Sequence, residues 1–547
     1  MSERSERASS YNLADLFERV VDAVPDRTAV VVGERRLSFR ELDERANRLA
    51  HHLAGAGVAS GGHVGLHLVN GSEYLEGMLA AFKLRAVPIN VNYRYGTDEL
   101  RYLYYDADLV ALVHDRQFAD VARSAASGLD KLRTFVVVGD DYEGALEAAS
   151  PDRPAVDGRS GDDIYCAYTG GTTGMPKGVL WRHEDIFFAS LGGGDPTQMG
   201  DIISSPDELP SRIPDTGLVA LPTPPLMHVS AHWLAFSTLF GGGTVVLLPG
   251  GRFDPPTAWR LVTDEKVNML VIVGNAMARP LLDELDTAVA GDRAYDTSSL
   301  FVIGSGGAVL SASMKDRIME ALPQVIIVDG FGASETGVVG TRASMSGTVP
   351  SAGPRFTVND QTAVLDDEMR PVEPGSETVG RLARRGHIPL GYYNDEEKTA
   401  ETFVEFDGVR WVLPGDMATV EEDGTVVLLG RGSVSINTGG EKVYPEEVEA
   451  ALSAHPSVAD AVVVGVDDED WGQWFVAGVQ PADGTTPALS DLQEFCRERM
   501  ARYKVPRSLS LVETMERSPS GKADYRWAKE YATRSLEGSP VVEGGTA

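Results

Sequence analysis

Short apolar runs recur along most of this chain, at 64–69, 109–113, 135–138, 243–248, 269–273, 300–303 and 325–328. Between them, apolar residues return at helical spacing. Runs of that length read as strands covered on both faces, and their alternation with helices predicts an α/β fold with largely parallel sheets flanked by helices. One helix has legible ends. Ser38, with Glu41 three positions on, forms a capping-box pattern. Leu42, Ala46, Leu49, Ala50 and Leu53 then share one face, and Gly55 and Gly57 close the segment.

The pattern changes from about 417. Asp423-Gly424 sits between Ala-Thr-Val and Thr-Val-Val-Leu-Leu, a hairpin signal. A helix at about 445–453 and strands near 459–466 and 475–480 follow. A small α+β domain is therefore expected from Arg431, dividing the chain into a large domain over 1–430 and a small one over 431–547. If the hairpin loop has two residues, Glu422 faces Thr425, and counting back along both strands sets Asp416 opposite Arg431. A carboxylate and a guanidinium would meet at the open end, either as a structural ion pair or as a ligand-binding pair.

The length of 547 residues allows roughly three or four domain-sized units. With 49 basic against 81 acidic residues the net charge is −32, which argues against nucleic-acid or anionic-membrane partners. Any polyanionic ligand must then be met by a local positive island, which draws attention to lysines and arginines inside glycine-rich loops. Two cysteines, Cys166 and Cys496, allow at most one disulfide and no metal cluster, in keeping with a reducing cytoplasm. The polar start lacks the apolar core of a signal peptide. Thr216–Gly251 carries no Asp, Glu, Lys or Arg, but Pro222, Pro224, Pro225, His228, His232 and Gly241–Gly243 interrupt it. It reads as buried core and pocket wall, so no transmembrane segment is expected.

Tyr168–Gly178 reads YTGGTTGMPKG, directly after the apolar run 164–167. Thr169, Gly170, Gly171, Thr172, Thr173 and Gly174 can wrap a polyphosphate with backbone N–H groups and hydroxyls, and Lys177 adds a point charge. A Walker A loop would need Gly-Lys followed by Ser or Thr; Pro176 and Gly178 exclude it. A second string, Asp329 to Gly337, follows the run 325–328: Asp329, Gly330, Phe331, Gly332 and Ser334 combine close approach with an aromatic face, and Glu335 offers a hard oxygen for Mg²⁺. A third, Gly304 to Ala308, places Gly306, Gly307 and Ala308 after the run 300–303. Near the C-terminus stands Pro519-Ser-Gly-Lys522, and Arg431 to Lys442 contains Gly439 and Gly440.

Together these motifs resemble, over about 11–530, the acyl-adenylate-forming superfamily of acyl-CoA synthetases, luciferases and peptide-synthetase adenylation domains. The resemblance implies a mobile C-terminal domain and an ATP-, Mg²⁺- and CoA-dependent ligase. It implies that Thr169–Gly174 and Lys177 hold phosphates, that Glu335 holds Mg²⁺, and that Gly306–Ala308, Asp329–Gly332 and Ser334 border the nucleotide. Asp416 and Arg431 would hold the ribose, Gly439 and Gly440 would meet the CoA arm, and Lys522 would reach the reacting carboxylate and α-phosphate. An anionic acid must approach a triphosphate, and unit charges about 4 Å apart interact by about 4 kcal/mol at an effective dielectric of 20, so cations at that point are physically required. Ser433 departs from the family, which usually carries an acidic or lysine hinge residue there. His228 stands where amino-acid-activating members tend to carry an aspartate, which disfavours an ammonium-bearing substrate and suits a gate to an acid pocket. YTGGTTGMPKGVLWR and RGSVSINTGGEKVYPEEVE further resemble actinobacterial synthetases of longer fatty acids and sterol side chains. Glycines at 192–194, 241–243 and 306–307 would either leave room for such an acid or serve turns and tight packing. The alternatives are a ligase that loads a carrier protein, a luciferase-like oxidase and a ligand-sensing protein; a homodimer stays open.

Overall fold

The computed structural model describes residues 10–169, 175–195, 201–291, 293–346, 354–438, 441–468, 472–517 and 523–538. Six parallel strands form the middle of the large sheet, in the order Thr28–Val32, Thr244–Leu247, Val219–Pro222, Met269–Ile272, Val302–Ser305 and Ile326–Ala333. Helices Val229–Phe240, Pro255–Glu265, Gly274–Ala290 and Ala312–Ala321 lie between successive strands. The sheet then continues antiparallel from Gly337–Ser344 to the hairpin strands Asp416–Val420 and Val426–Arg431.

A second parallel sheet has the order Val87–Asn90, His63–His67, Leu109–Asp115, Thr134–Val138. Helices Leu13–Ala23, Phe39–Gly55 and Ser72–Lys83 join one apolar cluster with residues of both sheets. The capping box at Ser38 is formed: Glu41 N donates to Ser38 Oγ (3.2 Å) and Ser38 N to Glu41 Oε2 (2.8 Å). The predicted face of that helix, Leu42, Ala46, Leu49, Ala50 and Leu53, is fully buried, each leucine contributing about 1.5–3 kcal/mol.

The hairpin corrects one expectation and keeps its consequence. Its loop has three residues, not two. Glu421 N donates to Thr425 O and Gly424 N to Glu421 O, both 2.9 Å, with Gly424 at φ 84°. This is a type I turn closed by a left-handed glycine. The inner pairs Val420↔Val426 and Ala418↔Leu428 are therefore one residue off the expected register. A bulge between Met417 and Ala418, opposite Leu428 and Gly430, takes up the slip, so Asp416 still faces Arg431.

After a short 3₁₀ turn, Gly432–Val434, the chain enters a separate sheet built from Ile436–Thr438, Glu441–Val443, Val458–Asp468, Gly472–Pro481 and Ser508–Leu511. It has its own apolar cluster, with Val448 and Leu452 of helix Pro445–Ser453 packed on Val463, Phe475 and Val479. Among the described residues, no helix is long and apolar enough to cross a membrane.

Candidate active site

Strands Ile164–Thr169 and Lys177–Arg182 pair antiparallel, with Thr169 opposite Lys177. The glycine-rich segment connects the two strands at the Thr169–Lys177 end; Gly170, Gly171, Thr172, Thr173 and Gly174 lie outside the described residues. The short strand Gly391–Tyr392 adds to the lysine strand through Gly391↔Leu180 and Tyr392↔Val179. Tyr393 N extends the pairing to Gly178 O at 2.8 Å. The segment after it is thereby laid beside Lys177, whose Nζ is 2.6 Å from Asp395 Oδ2 and 5.7 Å from the Tyr392 ring centroid. The hydrogen bond from Lys177, and then one from Lys398 N, hold the Asp395 carboxyl below its usual range.

Tyr392 also reaches the second motif. Its hydroxyl donates to Glu335 Oε1 at 3.0 Å, and Trp181 Nε1 donates to Ser334 O at 2.9 Å. Burial, and then the Glu335 charge, push the Tyr392 phenol well above its ordinary pKa, with Arg431 offsetting a part. The hydroxyl thus remains a donor, and Lys177, Glu335 and Arg431 all act on one tyrosine. Among the described residues, Glu335 Oε2 accepts no hydrogen bond, and no group of three His, Cys, Asp or Glu could hold a metal. A single carboxylate with a free oxygen fits Mg²⁺, which keeps its waters and takes substrate phosphates as its other ligands.

Parallel pairing sets Ser305, the last residue of its strand, opposite Asp329, the last residue of Ile326–Ala333 to pair in parallel; α/β sheets place ligands beyond the carboxyl ends of parallel strands. Burial lifts the Asp329 carboxyl above its usual value in spite of its ion pair with Lys315. A Cβ at Gly306 would lie 3.3 Å from Gly330 O, and one at Gly307 would meet nothing closer than Val273 at 4.0 Å. Ala308 continues this segment, and Phe331 packs on Phe356 with centroids 5.4 Å apart. Gly332 approaches Gly337 and Val338 across the turn. Of the two readings of the glycines at 192–194 and 241–243, Gly193 and Gly243 take the packing one. A Cβ at Gly193 would come within 2.9 Å of Ile202, and one at Gly243 within 2.9 Å of Thr238, so these positions serve tight packing.

Asp416 is buried and its Oδ1 is 3.3 Å from Arg431 Nε. His228 caps helix Val229–Phe240, with its N donating to Pro225 O at 2.9 Å. Behind it, Tyr165 hydrogen-bonds His232 Nε2, Trp233 Nε1 donates to the Tyr165 hydroxyl (3.0 Å) and His232 Nδ1 faces Leu226 O (3.0 Å). Burial pushes His232 down to about 3, so its ring is neutral; the carbonyl assigns the proton to Nδ1 and leaves Nε2 to accept from the tyrosine. Lys522, Gly439 and Gly440 lie outside the described residues. Tyr392 and Asp395 were not singled out from sequence; the Gly-Tyr-Tyr-Asn-Asp string offers turn residues but no sign of what they face.

The sequence model of AMP-binding enzymes matches residues 17–393, and that of the AMP-binding enzyme C-terminal domain matches 447–522. This chain belongs to the AMP-binding enzyme family. Within it, the chain is 47% identical to a medium/long-chain-fatty-acid–CoA/3-oxocholest-4-en-26-oate–CoA ligase of Mycobacterium marinum, covering 96% of this chain and 97% of that protein. It is also 47% identical to a 3-oxocholest-4-en-26-oate–CoA ligase of Rhodococcus rhodochrous, over 95% and 96%. The fold matches an anthranilate CoA ligase bound to anthranoyl-AMP with a TM-score of 0.82 at 23% identity, covering 98% of this chain and all of that one.

Proposed function

We propose that this protein is an ATP-dependent acid–thiol ligase that converts medium- or long-chain fatty acids, or the carboxylated side chain of a steroid, into CoA thioesters. One observation carries the reading: Lys177 and Glu335, from two separate motifs, converge on Tyr392 in a chain 47% identical, over nearly its whole length, to ligases of such acids. In the first half-reaction a carboxylate oxygen forms a bond to the α-phosphorus of ATP and the bond to the β-phosphate bridge breaks, giving acyl-AMP and pyrophosphate. In the second, the CoA sulfur bonds to the acyl carbon, the thiol proton is lost, and AMP leaves with the electron pair of the acyl–oxygen bond.

Thr169, Gly170–Gly174 and Lys177 hold the β- and γ-phosphates. Gly306, Gly307, Ala308, Asp329, Gly330, Phe331, Gly332 and Ser334 border the nucleotide, and Asp416 and Arg431 take the ribose hydroxyls. Glu335 holds Mg²⁺, which supplies charge neutralisation on the phosphates when bound. His228 closes the acid pocket. The chain divides at Arg431, so that 431–547 turns between half-reactions, presenting Lys522 to the carboxylate in the first and Gly439 and Gly440 to the CoA arm in the second.

The test is pyrophosphate release with ATP and CoA over short, long, aromatic and steroidal acids, with the thioesters identified by mass. Thioesters of long and steroidal acids are expected; turnover of short or aromatic acids alone contradicts the assignment. For Lys522→Ala, acyl-adenylate formation is expected to be lost while supplied acyl-AMP is still converted to thioester. Equal loss of both removes the role given to Lys522.

A further inference from the structure

The turn that presents His228 has its backbone clamped at successive positions. Pro225 O accepts from His228 N (2.9 Å), Asn70 Oδ1 accepts from Leu226 N (2.8 Å), and His232 Nδ1 meets Leu226 O (3.0 Å). The Met227 carbonyl is taken by Asn90 Nδ2 at 2.9 Å. Asn90 ends strand Val87–Asn90 and is 8% exposed. The same Nδ2 donates to Tyr168 O at 2.8 Å, and Asn90 Oδ1 accepts from Tyr168 N at 2.7 Å. The two carbonyls and one N–H fix the amide's orientation and use three of its four hydrogen bonds. Tyr168 is the penultimate residue of the strand that leads into the phosphate segment. One buried side chain, contributed by the second sheet, thus joins the base of that segment to the turn carrying His228.

We propose that Asn90 is a positioning residue for adenylation: it sets the distance between the triphosphate held after Thr169 and the carboxylate held beside His228. The inference rests on the ligase reading above. It concerns the first half-reaction alone, because the acid and the α-phosphate are separate molecules only there; once acyl-AMP has formed, a covalent bond fixes that distance. Asn90→Asp has the right shape to test it. The carboxylate can still accept from Tyr168 N but faces two carbonyls with no proton to offer, which loosens the joint without opening a cavity. Asn90→Ala removes all three bonds and leaves buried polar groups unmet.

The experiment measures ATP–pyrophosphate exchange, thioester formation from supplied acyl-AMP, and Tm for wild type, Asn90→Asp and Lys177→Ala. For Asn90→Asp, kcat of exchange is expected to fall about a hundredfold, the scale of an ångström-sized misplacement. KM for ATP and for the acid should each stay within about threefold, since each substrate keeps its own contacts. Conversion of supplied acyl-AMP should persist. Parallel loss of both half-reactions with a lowered Tm overturns the proposal, as does a rise in KM with kcat intact. If Lys177→Ala retains exchange, the phosphate-segment reading itself fails. If Lys177→Ala loses exchange and Asn90→Asp does not, only the role of Asn90 falls.

Discussion

Two lysines of this chain make carboxylate contacts of the same length in opposite surroundings. Lys83 Nζ lies 2.6 Å from Asp43 and 2.8 Å from Glu18, and its side chain is 0% exposed. Lys177 Nζ lies 2.6 Å from Asp395, with 41% of its side chain exposed. Around Lys83 stand Arg153, 3.0 Å from Asp43, and Arg159, 3.2 Å from Glu18, so the wholly buried ammonium presents no face to a ligand. Among the described residues, Lys177 has one carboxylate and an aromatic face beside it, with 41% of its side chain exposed. Contact length does not separate the buried lysine from the one proposed to bind phosphates; what remains accessible on the ammonium does.

The largest effect is expected at the buried site. Lys83→Met should destabilise the fold by about 3 kcal/mol, the lower end of the range for removing one partner of a buried ion pair, because Arg153 and Arg159 still face the carboxylates. Urea denaturation measures it. Activity per folded molecule should be unchanged. A variant as stable as wild type would mean that this cluster is penetrated by water and that the contrast with Lys177 is false.

Lys177→Ala should show the inverse pattern. ATP–pyrophosphate exchange is expected to fall by about 10²–10³-fold, as for loss of one preorganised charge-stabilising donor. Tm should hold, because an exposed ion pair contributes about 0–1 kcal/mol. Loss of stability without loss of exchange would make Lys177 a second Lys83.

Between these lies Tyr392, which touches both the lysine and Glu335. Tyr392→Phe keeps the ring beneath Lys177 and removes the 3.0 Å bond to Glu335 Oε1, together with the hydroxyl's weaker interaction with Thr402. Orienting partners of metal ligands typically change affinity by about 10–100-fold. The Mg²⁺ concentration giving half-maximal exchange should therefore rise by about tenfold, with the ATP dependence at saturating Mg²⁺ little changed. An unaltered Mg²⁺ profile would separate Glu335 from the metal.

Which of these residues the sequence discloses follows from how local their chemistry is. Lys177 and Glu335 sit inside strings whose glycines and threonines already speak of a ligand. Asp395 acts on a lysine 218 positions away, and Asn90 on groups 78 and 137 positions away, so neither carries a neighbouring signal. The strand runs were legible because burial on both faces leaves an unbroken apolar pattern, and the capping box because it spans four consecutive residues. The Asp416–Arg431 pairing was reached by a count that missed a loop residue and a bulge, two slips of opposite sign. Asp-Gly marks where the chain turns; whether the turn takes two residues or three depends on which one adopts the left-handed conformation, and here it is Gly424 alone.

The smallest expected effect sharpens the comparison most. Asp395 accepts from Lys177 and also caps helix Glu396–Thr402, where Lys398 N donates to its Oδ1 at 2.9 Å. Because the folded-state pKa of this carboxyl is depressed, the pair's contribution to stability is complete above the unfolded-state value and is lost as pH falls through the folded one. At neutral pH, Asp395 is thus a full negative charge that phosphates would have to outcompete for Lys177 under the proposed reading. Asp395→Asn keeps the cap, since asparagine serves there as well as aspartate, and removes the competitor. KM for ATP should fall, by at most about fivefold for an exposed pair of up to about 1 kcal/mol, with Tm unchanged at neutral pH. A rise in KM would reverse the assignment: Asp395 would then hold the Lys177 ammonium where the phosphates need it, and the open lysine would depend on its carboxylate as much as the buried one does.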